Sequence, residues 1–183
     1  MTSSDATALS ADAIDAAAAR VGATYVGDAD GGDAKVGLVC AKFNGGITER
    51  LLRGALEGFE SSGVKAATVT VAWVPGAFEL PLAAMRLATS GAVDAVVALG
   101  AVIRGETAHF DFVAGECASG LQRAALDTGV PVVFGVLTTD TVDQALARCG
   151  DGEANKGYEA AVTALEMADL LGKLPAPPMT RAR

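Results

Sequence analysis

The chain has one histidine, His109, within Leu99-Gly-Ala-Val-Ile-Arg-Gly-Glu-Thr-Ala-His-Phe-Asp-Phe112. Histidine is the one side chain that, unperturbed, gives and takes protons near neutral pH, so this run is where acid–base chemistry would sit. A lone surface histidine is most often without function, and its neighbours give this one weight. Gly105-Glu-Thr107 forms a glycine turn ahead of a helix, where free backbone amides attract anions and Thr107 can cap the helix or add a hydroxyl. Two aromatic residues, Phe43 (before Asn44-Gly-Gly46) and Phe78 (within Pro75-Gly-Ala-Phe-Glu79), could flank a flat heterocycle. Glu79 opens a helix, where the dipole alone favours a carboxylate. Arg148 and Lys156 bracket the turn Gly150-Asp-Gly-Glu-Ala-Asn155, and an arginine there can grip a phosphate with two parallel hydrogen bonds.

Each group follows an apolar run, so the elements behind them set their placement. Strands are expected at Lys35–Ala41, Thr68–Val74, Ala95–Ile103 and Pro131–Leu137. Between and after them the 3.6-residue period predicts helices at Ile47–Ser62, Ala77–Thr89 (with Pro81 in its first turn), Asp111–Thr128, Thr141–Cys149 and Ala154–Leu171. Strands alternating with helices, and apolar on both faces, imply a parallel sheet covered on both sides. Right-handed crossovers then give a three-layer α/β/α sandwich of the flavodoxin-like kind with a four-stranded parallel sheet. In such sheets ligands bind outside the carboxyl ends of the strands, where all the groups above lie except Arg148 and Lys156, which flank a turn joining the last two helices.

Residues 1–33 read as a flexible leader, with a short capped helix over Ser10–Arg20 and an acidic linker at Gly27–Asp33. Residues 34–172 form the domain, and 173–183 a Pro-rich tail.

Bulk properties exclude several classes. The net charge of −8 argues against nucleic acid, which demands a basic stripe, and no polybasic run points to a membrane surface. Cys40, Cys117 and Cys149 are odd in number and lack a Cys-x-x-Cys pair, so neither a disulfide framework nor a metal site follows; each reads as a small buried hydrophobe. No signal peptide or membrane span is legible, which makes the cytoplasm the expected location. An apolar composition of 51 % with only 20 % charged residues hints at burial against copies of the same chain.

From about Lys35 to Leu171 the motifs jointly resemble the lumazine synthase (6,7-dimethyl-8-ribityllumazine synthase) family of riboflavin biosynthesis. They are Phe43-Asn44, Val74-Pro-Gly-Ala-Phe-Glu-Leu-Pro81, Leu99 to Phe112, Phe134-Gly-Val-Leu-Thr-Thr139, and Ala147-Arg-Cys-Gly150 with Asn155-Lys-Gly157. Each is modest alone; in this order they are specific. The resemblance implies condensation of 5-amino-6-(D-ribitylamino)uracil with 3,4-dihydroxy-2-butanone 4-phosphate, with no cofactor and no metal. It implies that Phe43 stacks on the pyrimidine, with Asn44 beside it, and that Ala77, Phe78 and Glu79 hold ring and ribityl polar groups. The backbone of Ala101, Val102 and Ile103 would line the ring pocket. Gly105, Glu106 and Thr107 would meet the phosphate through main-chain amides, Arg148 would neutralise it, and His109 would shuttle protons. Phe134, Arg148 and Lys156 would come from a neighbouring subunit, because family sites lie between the subunits of a pentamer, itself able to build a 60-subunit shell. Riboflavin synthase is the further partner the family implies. A non-catalytic lumazine-binding module would keep the aromatics and could dispense with His109 and Arg148; both remain. A purely shell-forming protein is the third reading, and the turn between Arg148 and Lys156, without an evident insertion, permits it.

Overall fold

The computed structural model describes residues 9–175; residues 1–8 of the leader and the Pro-rich tail from 176 onward lie outside the described residues. Four strands, β1 (Val36–Ala41), β2 (Val69–Val74), β3 (Ala95–Ile103) and β4 (Val132–Thr139), form one parallel sheet in the order β2-β1-β3-β4. The helices are α1 (Ala11–Ala18), α2 (Gly45–Ser61), α3 (Leu80–Ala88), α4 (His109–Thr128), α5 (Val142–Leu146) and α6 (Lys156–Lys173). This is the expected three-layer α/β/α sandwich.

The pleat sorts the core into two layers. Val36, Leu38 and Cys40 of β1 face α2 and α6, where they meet Leu51, Ala55, Phe59, Ala161 and Leu165. Val39 and Ala41 face the opposite way, against Leu80 and Ala84 of α3 and Cys117 and Leu121 of α4. Only the central strands β1 and β3 are apolar and covered on both faces. The expectation that all four would be is corrected at the edges, where one flank of each strand has no neighbouring strand among the described residues: β2 exposes Val71 and Trp73, and β4 exposes Phe134.

Several boundaries differ from the periodic pattern for local reasons. The segment expected as one helix over 77–89 begins with a 3₁₀ turn, Ala77–Glu79, and becomes α-helical at Leu80, with Pro81 in the first turn where its missing N–H costs nothing. Helix α4 starts at His109, two residues early, so the histidine is itself the first helical residue. Helix α5 spans only five residues, capped by Thr141, whose side chain accepts from the Gln144 amide. Residues 26–34 run along α2 and α6: the Asp28 amide donates to Asp169 (2.7 Å), the Gly31 amide to the Ser62 carbonyl (2.6 Å), and Lys173 Nζ to the Val26 carbonyl (3.0 Å). No helix among the described residues is long and apolar enough to cross a membrane.

Candidate active site

The exits of β1, β2 and β3 converge. Beyond β1 the ladder continues, with the Lys42 amide donating to the Val74 carbonyl (2.8 Å) and the Phe43 amide to the Pro75 carbonyl (3.0 Å), which brings the two aromatic exits side by side. Asn44 then turns the chain into α2 in the left-handed region (φ 56°), a conformation asparagine tolerates better than most residues. Its side-chain amide donates to the Ala101 carbonyl (2.9 Å), tying the end of β1 to β3. Asn44 therefore serves the frame as well as the wall of the cavity.

That cavity measures about 640 Å³. It is lined by Phe43, Asn44, Ala77, Phe78, Glu79, the Ala101–Ile103 stretch, Gly105, Thr107 and His109, which is nearly the whole set expected to hold the ring and the phosphate. Of the residues expected from the loop after β3, Glu106 alone is exposed away from the walls, and Phe134, Arg148 and Lys156 are absent from this cavity. Phe112 and Val113 complete the lining, one turn along α4 from His109. Phe43, Phe78 and Phe112 are more than half exposed, at 72 %, 57 % and 69 %. Three rings left bare around one hollow suit a flat partner, since stacking needs free faces.

The loop between β3 and α4 offers donors. No described residue accepts from the amides of Gly105, Glu106, Thr107 or Ala108. Helix α4 lacks a side-chain cap on Ala108; Thr107 Oγ1 instead accepts a long bond, 3.4 Å, from the His109 amide. Unpaired amides at the start of a 20-residue helix are a ready anion site.

Phe134, Arg148 and Lys156 lie elsewhere. They line a second cavity of about 450 Å³ along β4 and α6, with Thr139, Glu159 and Thr163. Arg148 Nη1 donates to the Gln144 carbonyl (2.9 Å), and Lys156 Nζ is held by both oxygens of Glu159 (2.6 and 2.7 Å), one turn further along α6. Within one chain the histidine and Arg148 thus occupy different cavities.

Two devices that sequence reasoning did not assign are visible here. Asn155, 2 % exposed, caps α6 by accepting from the Gly157 amide (2.8 Å) and donates to the carbonyls of Gly150 (2.6 Å) and Arg50 (3.1 Å). It pegs the turn that carries Arg148. A Cβ on Gly157 would run into the Leu51 carbonyl, and one on Gly54 would meet Asn155 itself, so glycine is required on both sides of the peg despite its cost of about 1 kcal/mol in a helix. The signal was present as an asparagine immediately before an apolar periodic run. The second device is Arg104, whose guanidinium donates to Asp140 (2.8 Å) and Asp111 (3.2 Å) and lies over the Phe110 ring at 4.1 Å. The bond to Asp140, then that to Asp111, drives it still further toward its charged form. No local pattern links Arg104 to Asp140.

The cysteines are core residues, as expected. Burial pushes the Cys40 thiol up to about 12 and that of Cys117 up to about 11, so neither supplies a thiolate nucleophile near neutral pH. No group of three or more metal-ligating side chains occurs among the described residues.

One cavity thus carries bare aromatic rings, the imidazole of His109 and free amides, at the strand exits where the fold places ligands. The sequence from residue 33 to 172 matches the family model of 6,7-dimethyl-8-ribityllumazine synthase, a transferase of riboflavin biosynthesis. The match covers both cavities and every strand between them, and the chain belongs to the 6,7-dimethyl-8-ribityllumazine synthase family.

Proposed function

We propose that the protein condenses 5-amino-6-(D-ribitylamino)uracil with 3,4-dihydroxy-2-butanone 4-phosphate, yielding 6,7-dimethyl-8-ribityllumazine, orthophosphate and water. The observation that carries this reading is the joint presence of His109, the bare rings and the unpaired 105–108 amides around one hollow. The pyrimidine stacks on Phe43, with Phe78 and Glu79 on its ribityl side. The phosphate ester meets the loop amides and the guanidinium of Arg148. The ring amine attacks the ketone and water leaves to give an imine. Phosphate is then eliminated, and ring closure with a second loss of water completes the product. Each of these steps moves protons, and His109 relays them. The rest of the rate comes from holding two substrates in contact.

In this reading Arg148, Lys156 and Phe134 reach the hollow from a neighbouring copy, because their own chain carries them on a different cavity. The working unit is then a homo-oligomer, a pentamer or a 60-subunit shell of pentamers, in the cytoplasm, with riboflavin synthase as the enzyme that consumes its product. The exposed Phe134, Trp73 and Phe112 support a surface that is covered by other copies. The test is to mix purified protein with both substrates and follow lumazine fluorescence. Product from the pair, and none when either substrate is omitted, is expected; absence of product from the pair would overturn the assignment. Size-exclusion chromatography with light scattering reads the assembly, and a monomer active at full rate would contradict the shared site.

A further inference from the structure

We infer that Arg104 is a positioning residue that sets His109 and the 105–108 amides in their working geometry, by clamping the first turn of α4 to the end of β4. This rests on the reading of His109 and the loop amides given under Proposed function.

Helix α4 begins without the usual fastening. Ala108 at its N-cap has no side chain to accept the free amides, and Thr107 makes only the 3.4 Å bond. Asp111, the acidic residue of the first turn, accepts from Arg104 Nη1. The backbone amide of Arg104 donates to the Thr139 carbonyl (2.9 Å) and its Nε to Asp140, so both ends of this residue are anchored to the close of β4. Its guanidinium plane also covers Phe110, which borders the cavity and packs on the α3–α4 core layer. Asp140, Asp111 and Phe110 therefore meet on one side chain, and His109 immediately precedes two of them, Phe110 and Asp111, in the first turn of α4. A single surface ion pair contributes little, but a forked guanidinium with two carboxylates and a ring beneath it has one geometry. With both carboxylates already engaged, Arg104 acts on the site through the backbone it holds.

The experiment compares Arg104→Gln, Asp140→Asn and the double variant with the parent, measuring kcat and the KM of each substrate. It also records the imidazole resonances of His109, unambiguous because the chain has one histidine. Misplacement by about an ångström can cost on the order of 10²-fold, so Arg104→Gln is expected to lower kcat by about that factor with the pyrimidine KM unchanged. Asp140→Asn, which keeps the guanidinium and an acceptor oxygen but takes the carboxylate charge from the shorter bond, is expected to act in the same direction by a smaller factor. The double variant is expected to be no slower than Arg104→Gln, since both remove one clamp. In each variant the imidazole resonances shift. A parental kcat with parental resonances would overturn the inference, as would a loss confined to the KM of the butanone phosphate, which would make Arg104 a ligand. A parent protein that forms no lumazine sinks the proposed function instead, and the resonances still decide whether Arg104 positions the imidazole.

Discussion

The cavity at the exits of β1, β2 and β3 and the cavity along β4 and α6 are built of different materials. The first has three exposed rings, one imidazole and backbone donors that nothing among the described residues satisfies. The second has two cations, both steered by their own chain: Arg148 by the Gln144 carbonyl and Lys156 by Glu159. The first is equipped to hold a flat ring and move protons, and it lacks a charged group to neutralise a phosphate beyond what amides offer. The second supplies charge and has no imidazole. Each contains what the other lacks. In the proposed reading the halves complete one another by association, since head-to-tail ring oligomers bring two unlike patches of one sequence together at every interface.

The sharpest break between the halves is expected from His109→Ala. Losing the only imidazole should lower kcat by about 10²- to 10⁴-fold, with circular dichroism and assembly unchanged, since His109 is exposed and buries nothing. A variant with the parental rate would take the histidine out of the mechanism. Arg148→Ala should act on the other half. A charge-assisted bond of about 1.5–3 kcal/mol corresponds to a rise on the order of 10- to 100-fold in the KM of the butanone phosphate, with that of the pyrimidine unaltered. Equal effects on both substrates would blur the division of labour. Co-assembling the two defective variants from denaturant sharpens the comparison further. Random mixing in a ring should restore roughly a quarter of the interfaces to full composition, and so recover activity that neither variant has alone. Recovery of nothing would place both residues in one chain's site. Phe43→Ala should raise the pyrimidine KM several-fold, in line with about 0.5–1.5 kcal/mol for an aromatic stack, and spare the phosphate substrate. The smallest effect is expected at Thr48, fully buried in α2 with a hydroxyl that has no partner among the described residues. Thr48→Val removes an unsatisfied polar atom at nearly constant shape, so stability in urea should stay within about 1 kcal/mol of the parent, on the neutral or stabilising side. A large loss would mean that the hydroxyl has an unseen partner.

Much of this was readable from local pattern. The strand over Ala95–Ile103 matches its expected bounds because an apolar run closed by a glycine turn leaves no other reading. Asn155 announces α6 as an N-cap, although the periodic run begins one residue earlier, at Ala154. The start of α4 was missed because Ala108 carries no capping signal, while Thr107, which does, lies outside the cap position and bonds only at long range. Strand β4 runs two residues further than expected, through Thr138 and Thr139, whose β-branched side chains extend the ladder to Val102 and Ile103 of β3. The bare faces of β2 and β4 were invisible for another reason: an apolar strand reads alike whether a helix or a second copy covers it.

The amino-acid order by itself determined the alternation of strands and helices and the clustering of unusual residues at strand exits. These follow from side-chain periodicity and turn chemistry, which act over a few residues. The tertiary structure alone decided that Asn44 ties β1 to β3, that Asn155 pegs the turn bearing Arg148, that Arg104 meets Asp140 36 positions away, and that the cations and the imidazole fall into separate cavities. Those outcomes depend on where the sheet order and the helix packing bring distant segments, and no short-range pattern encodes a distance between them.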